Sequence, residues 1–171
     1  MSRRIGRILA FQALYSWDVG GVEIDDLLSF EWLVRDSSEH ADEEVQEEGD
    51  EVQYSLIEKQ IELFDGLTPE KKNEVFTFAR LLVKGTMEHL DEIDEIIKAH
   101  LSAKWSIERI NKVALAVLRM SIYSLLYQKD VHPSIVIDEA VEIVKEYGAD
   151  DAHKFTNALL DTVAKDISKE S

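Results

Sequence analysis

The most constraining feature of this chain is a long apolar segment in its second half, from Ser106 to Gln128. Apolar residues recur along it at helical spacing, and further apolar residues fall on the remaining faces. No glycine or proline interrupts the segment. A helix that is apolar nearly all round is buried on most sides. The segment therefore predicts a central helix around which the other helices pack.

The start of this central helix is predicted at Ser106. Serine is a favoured N-cap residue, and Trp105 before it is expected to contact Ile110 as a hydrophobic staple. Arg109 and Lys112 follow within the first turns, and they are expected to form a basic strip that faces solvent.

The composition favours an all-α fold of about seven or eight helices. The chain has 171 residues, enough for one domain with a real core or for two small subdomains. Two prolines and seven glycines are few for an all-β protein with many turns. The absence of cysteine excludes disulfides, thiolate metal sites and a cysteine nucleophile. With no secretory signal at the start and no apolar run long enough to span a bilayer, we expect a cytoplasmic protein without membrane contact.

The net charge of −16 argues, read globally, against nucleic acid as a partner. The acidic residues are unevenly spread, however, because the stretch 36–51 carries nine carboxylates and no lysine or arginine. This stretch is predicted to be a mobile acidic loop. The rest of the chain is only mildly acidic and contains local basic clusters.

The first helix is predicted over Ser2 to Val19, and basic residues crowd its first two turns. Arg3, Arg4 and Arg7 form this cluster, and Tyr15 lies two turns beyond it. The cluster is interpreted either as a solubilising face or as an electrostatic footprint for phosphates, with an aromatic edge beside it.

The other predicted helices follow from capping residues and apolar spacing. Gly85 lies inside one of them and is expected to permit a close helix contact. His100, at the edge of an apolar stripe, is either structural or available for stacking. The predicted helices are Ile24 to Arg35, Val52 to Phe64, one starting at Thr68-Pro69-Glu70, Asp91 to Leu101, one opened by Pro133 and ended by Gly148, and a last one capped by Asp150 or Asp151.

No convincing catalytic set is present in the sequence. No two histidines have the i, i+4 spacing of a zinc protease, and there is no glycine-rich phosphate loop. Carboxylates are so abundant that a close pair carries no information. We therefore expect a non-enzymatic binding protein without a cofactor or metal.

The order and spacing of several short motifs resemble the NusB transcription antitermination family. No single motif is specific, but together they cover both ends of the chain and everything after about residue 75. The motifs are Arg3-Arg4-Ile5-Gly6-Arg7, Ala13-Leu14-Tyr15-Ser16-Trp17, Leu82-Val83-Lys84-Gly85, Ala116-Val117-Leu118-Arg119, Ile137-Asp138-Glu139-Ala140-Val141-Glu142 and Lys154-Phe155-Thr156-Asn157.

The resemblance implies two packed helical subdomains, here 1–66 and 67–171. We expect a monomer or a homodimer, since exposed apolar patches on a small helical domain often pair. It implies binding of boxA-type single-stranded RNA from ribosomal RNA transcripts together with the small-subunit ribosomal protein NusE, within an RNA polymerase antitermination complex. The RNA-binding residues are then expected to be Arg3, Arg4, Arg7, Tyr15, His100, Lys154 and Phe155. Partner contact is expected at Arg109, Lys112 and Arg119.

One departure from the family pattern concerns the partner contact. Ala114 and Leu115 stand where the family often has an acidic and then a basic residue, so the polar part of the NusE contact is in question. Two other interpretations stay open at this point. One is a helical protein-interaction domain without RNA binding, and the other is the RNA-binding domain of a longer RNA methyltransferase, whose fold is the same.

Overall fold

The computed structural model describes residues 2–31 and 66–171, and these residues form seven α-helices and one 3₁₀ turn with no strand among them. The all-α prediction is confirmed. The helices are α1 (Ser2–Gly20), α2 (Ile24–Leu28), α3 (Pro69–Glu88), α4 (Leu90–Ala99), α5 (Lys112–Tyr127), α6 (Pro133–Tyr147) and α7 (Ala152–Glu170), and the 3₁₀ turn is Ile107–Arg109.

Helix α5 is the centre of the packing, as the apolar segment predicts. It contacts α1, α3, α4, α6 and α7, and 12 of its 16 residues are buried. Helix α1 packs on both α3 and α5, and α7 packs on both α5 and α6. One continuous apolar core therefore includes side chains from each of the seven helices, with α5 at its middle.

The predicted N-cap of the central helix, Ser106, is wrong by five residues, because the observed N-cap is Asn111. Helix α5 begins at Lys112, and the Asn111 side chain accepts hydrogen bonds from the backbone N–H groups of the second and third helical residues, at 3.1 and 3.2 Å. Asparagine and serine are nearly equal as N-caps, so the sequence alone did not separate them. Ile107 and Ile110 are both buried, and the short 3₁₀ turn between Ser106 and Asn111 achieves this. The predicted staple is also wrong, because a staple residue directly precedes the N-cap, and the residue before Asn111 is Ile110 rather than Trp105.

Other helix ends match their sequence signals. The Thr68 hydroxyl accepts a bond from the Lys71 N–H at 3.4 Å, with Pro69 in the first turn of α3 as predicted. Helix α6 opens with Pro133, again as predicted.

The second helix is shorter than predicted, because α2 ends at Leu28 and Phe30 adopts a positive φ of 54°.

Several predictions lie outside the described residues: the helix Val52 to Phe64, the acidic loop 36–51 and the end of the helix expected to reach Arg35. The division of the chain at residue 66 therefore stays a prediction. Within the described ranges, no helix combines the length and apolar character that crossing a bilayer requires.

Gly85 allows the close approach of α3 to α5 that its position in the sequence predicts. A Cβ atom at Gly85 would overlap the ring of Tyr123 on α5. The missing side chain therefore sets the separation of the two helices at this crossing.

Replacing this glycine is expected to destabilise the protein. Gly85→Ala should lower the free energy of unfolding by about 1–3 kcal/mol, because overpacking outweighs the better helix propensity of alanine. Urea unfolding measures the difference. Gly20→Ala at the end of α1 is the control, since its Cβ would meet only the Val22 side chain at 3.5 Å. A Gly85→Ala protein as stable as the wild type would contradict this account of the crossing.

Candidate nucleic-acid interface

The exposed arginine at the start of α1 is supported by an aromatic ring from α3. The Arg3 guanidinium lies 4.3 Å from the centroid of the Phe78 ring. Gly6 faces the same ring, and a Cβ there would lie 2.6 Å from Phe78 Cδ1. The Phe78 ring thus fills the space beside Gly6, and the Arg3 guanidinium packs on it in a cation–π contact. Arg3 makes no ion pair with any residue in the described part of the chain.

Arg7 belongs to the interior rather than to the surface. It is only 6% exposed, and its guanidinium lies 5.4 Å from the Phe78 ring. Burial lowers the pKa of Arg7, an effect that the nearby Glu139 carboxylate opposes and that Arg3 reinforces. A guanidinium enclosed in this way does not reach a phosphate outside the protein, so its placement goes against the predicted RNA contact.

Arg4 is held by two carboxylates of α6. Its guanidinium donates to Glu146 Oε2 at 3.0 Å and lies 3.8 Å from Glu139 Oε2. The Arg4 side chain is 36% exposed, so part of its surface still faces water. The arginine cluster is therefore largely neutralised by α6, and Arg3 is its exposed, unpaired member.

The start of α7 presents a cation beside a pair of rings. Lys154 is 73% exposed and pairs with Asp151 at 3.2 Å. Phe155 is half-buried and lies near-parallel to Trp105, with centroids 6.2 Å apart and an interplanar angle of 23°. The three side chains together offer one positive charge and an aromatic surface.

Helix α1 reaches the same end of the bundle. The Phe11 ring contacts the Tyr147 ring at 5.3 Å, and Tyr147 is the last residue of α6, shortly before α7 begins. The half-buried Tyr15 lies one turn beyond Phe11. The contact of Phe11 with Tyr147 therefore joins α1 to the end of α6, and the RNA-binding role of Tyr15 stays a prediction.

His100 has the structural role that the sequence left open. Its Nδ1 lies 2.7 Å from the Ile96 carbonyl oxygen, and its Nε2 lies 2.9 Å from Asp166 Oδ2 on α7. Both partner atoms are oxygens of the protein, so both ring nitrogens of His100 are engaged within the fold. With its side chain 16% exposed, His100 joins α4 to α7 and offers little surface for stacking.

Arg119 is likewise committed inside the protein. Its Nε and one terminal nitrogen each donate to Asp94 at 2.8 Å, and its other terminal nitrogen lies 3.5 Å from Asp18. The side chain is 9% exposed, which goes against the predicted partner contact. Its placement differs from that of Arg109 and Lys112, which are exposed, and Lys112 pairs with Asp18 at 3.2 Å.

The two apolar residues that depart from the family pattern lie in the core. Ala114 and Leu115 are 1% and 2% exposed. Burial explains why neither position carries a charge in this chain, since an ionised side chain there would need a partner. The exposed basic residues just before them, Arg109 and Lys112, are the polar groups available at this end of α5.

Sequence reasoning missed the exposed ring of Trp105 beside Phe155 and missed the carboxylates that bind Arg119. A tryptophan in a turn can indicate an exposed ring. The predicted N-cap at Ser106 instead assigned the Trp105 ring a packing role at the start of the central helix. The partners of Arg119 carry no local signal, since Asp94 and Asp18 lie 25 and more residues away in the chain.

The bond between His100 and Asp166 makes stability depend on pH. The His100 hydrogen bond, together with Lys169, lowers the pKa of Asp166 below its ordinary value of 3.8. A carboxyl with a lowered folded-state pKa stabilises the protein above its ordinary pKa, and this contribution is lost as the pH falls through the lowered value. Asp166→Asn should therefore lower the Tm near pH 6, and the difference from wild type should shrink toward about pH 2.

The control for this prediction is Asp161→Asn on the same helix. Among the described residues Asp161 pairs with Lys165 alone, one turn away on α7, at 2.7 Å, and exposed pairs of this kind contribute little. Thermal unfolding at several pH values makes the comparison. A loss of Tm from Asp166→Asn that is the same at all pH values would rule out the charge of Asp166 as the cause.

The fold and site together define an all-α binding protein whose exposed functional groups are cations and aromatic rings. A sequence model of the NusB family matches residues 4–165. The chain belongs to the NusB family. The transcription antitermination protein NusB of Treponema denticola is 42% identical over 163 residues, which cover 95% of this chain and 96% of that protein. The family assignment confirms the prediction of a non-enzymatic protein.

Solved structures agree with this assignment. NusB of T. maritima has 30% sequence identity and a TM-score of 0.65, with 95% of this chain and 90% of that chain covered. A crystal structure of the antitermination factors NusB and NusE in complex with dsRNA gives 26% identity and a TM-score of 0.64, with 96% of each chain covered. The chain is thus similar over nearly its whole length to proteins of one family and one fold.

Proposed function

We propose that this protein is a transcription antitermination factor that binds boxA-type single-stranded RNA of ribosomal RNA transcripts together with NusE. In this role it makes RNA polymerase resistant to termination, and it acts in the cytoplasm. The observation that carries the proposal is the exposed cation beside two near-parallel rings at the start of α7, in a chain of the NusB family. A solved relative that was crystallised with NusE and RNA supports it.

The chemistry of the site suits unpaired RNA. Lys154 and Arg3 supply charge for phosphates, and Phe155 and Tyr15 supply ring surface for bases. Aromatic side chains stack on bases that are free of a duplex, because a paired and stacked base has no open face. The surrounding protein is acidic, so the attraction is local and confined to these side chains.

Partner contact is proposed at the exposed basic residues before and at the start of α5. Arg109 and Lys112 face outward there, and acidic groups on NusE are the expected complement. Arg119 contributes indirectly, because it also binds Asp18, the carboxylate that pairs with Lys112. The acidic loop predicted at 36–51 has no assigned role in this proposal.

A binding titration tests the proposed function. A labelled boxA-type RNA, a scrambled RNA and a duplex of the same length would each be titrated with the protein, alone and with equimolar NusE. Tight, sequence-dependent binding that improves with NusE supports the proposal. Equal binding of boxA and scrambled RNA even with NusE would favour the alternative, a helical protein-interaction domain without specific RNA binding.

The contribution of Lys154 has its own signature in the salt dependence. Lys154→Ala should weaken RNA binding and reduce the slope of log K against log salt by about 0.7, the value for one phosphate contact on a single strand. Arg3→Ala should do the same. Titrations at four or five salt concentrations measure the slope.

Lys129→Ala is the matched control for both substitutions. Lys129 is exposed and lies before α6, at the far end of that helix from α7. The 15-residue α6 separates Lys129 from the start of α7, where Lys154 lies, by roughly 21 Å. A slope that Lys154→Ala leaves unchanged, or that Lys129→Ala reduces equally, would contradict the assignment of Lys154 to a phosphate.

A further inference from the structure

Trp105 is a large ring that the fold holds at the surface. It is 53% exposed, although its neighbour Ile107 is 8% exposed and belongs to the core. It lies near-parallel to and offset from Phe155, with centroids 6.2 Å apart, so the two rings are neighbours while about half of the tryptophan surface faces solvent. Its exposure is therefore a property of its position in the fold.

The backbone on both sides of Trp105 is fixed. The Trp105 N–H donates to the Ser102 carbonyl oxygen at 2.9 Å, which closes a turn. Before this turn, His100 is bonded to Asp166 of α7, and after it Ile107 anchors the 3₁₀ turn in the core. Because the backbone of this turn is already fixed, it loses little conformational entropy when a ligand stacks on the Trp105 ring.

Positive charge accompanies both rings. Lys104 precedes Trp105 and is exposed, with no ion pair to any residue in the ranges 2–31 and 66–171. Lys154 precedes Phe155, and its pair with Asp151 is between two largely exposed side chains, 73% and 86%, so that bond is weak and exchangeable. Two lysines beside two rings are the combination that binds single-stranded nucleic acid through phosphates and stacked bases.

We propose that Trp105 and Phe155 form one stacking platform for the bound RNA, with an unpaired base on the free face of Trp105 and its phosphate beside Lys104. Phe155 lies beside the tryptophan and extends the aromatic surface that the RNA bases meet. This inference rests on the proposed function, since it adds a residue to the RNA interface. It assigns to the turn 102–105 a ligand contact in addition to its structural role.

The experiment measures RNA affinity of the full chain after changes at Trp105. Trp105→Ala should weaken binding of the boxA-type RNA by roughly tenfold, within the range for one base–aromatic stack. The slope against salt should stay at the wild-type value, because stacking releases no counterions. Trp105→Tyr should recover most of the affinity, and Trp105→Leu should not, since leucine has no aromatic face.

A second readout does not depend on affinity. RNA should quench the tryptophan emission of the wild-type protein, and Trp105→Phe should lose that quenching while it still binds RNA. Ile135→Ala is the control, because Ile135 is 51% exposed and lies at the start of α6, at the opposite end of that helix from the start of α7. Thermal unfolding confirms that each variant is folded before its affinity is compared.

The outcomes separate this inference from the proposed function. Wild-type binding that depends on Lys154 but is unaffected by Trp105→Ala would overturn the platform and leave the proposed function standing. A Trp105→Ala protein that loses affinity for NusE in the absence of RNA, with RNA binding alone unchanged, would also overturn it and make Trp105 a protein contact. Absence of RNA binding by the wild type, with and without NusE, would overturn both.

Discussion

The guanidinium of Arg119 is the group on which the arrangement of the described helices most depends. It lies in the middle of α5 and binds both oxygens of Asp94 on α4 and one oxygen of Asp18 on α1. An arginine buried in this way is tolerated because two carboxylates meet its donors in a planar geometry. Loss of a partner from a buried pair costs about 3–5 kcal/mol, since a charge is left without compensation. Three helices are thereby fixed to one side chain.

The position of α1 that this contact fixes has consequences for the interface. With Asp18 held at α5, the other end of α1 lies against α3 and α6, where Phe78 supports Arg3 and where Glu139 and Glu146 bind Arg4. Acidic residues of α6 thus remove part of the basic character that the sequence of α1 suggests. In this chain of net charge −16, the exposed cations that remain among the described residues near the starts of α1 and α7 are few and lie at defined places, and these are the places at which we propose RNA contact.

The features that sequence reasoning predicted are those with a local physical cause. An apolar run without glycine or proline gave the central helix, Thr68 and Pro69 gave the start of α3, and Gly85 gave a close helix contact. The burial of Arg7 and Arg119 has no local cause. Residues 5–14 of α1 are buried on all faces, which a single apolar stripe does not predict. The partner of His100 is 66 residues away, so only the tertiary structure shows it.

The balance of charge and rings at the interface also bears on how RNA is held. Of the described cations near the site, Arg3, Lys104 and Lys154 are exposed, whereas Arg7 is enclosed and Arg4 is paired. Three phosphate contacts on a single strand correspond to a salt slope of about 2, which is small beside that of strongly basic RNA-binding proteins. The rest of the affinity then has to come from terms that do not depend on salt. Stacking on the rings at the start of α7 and a second surface provided by NusE are the two sources that fit, and both favour a factor that binds RNA as part of an assembly.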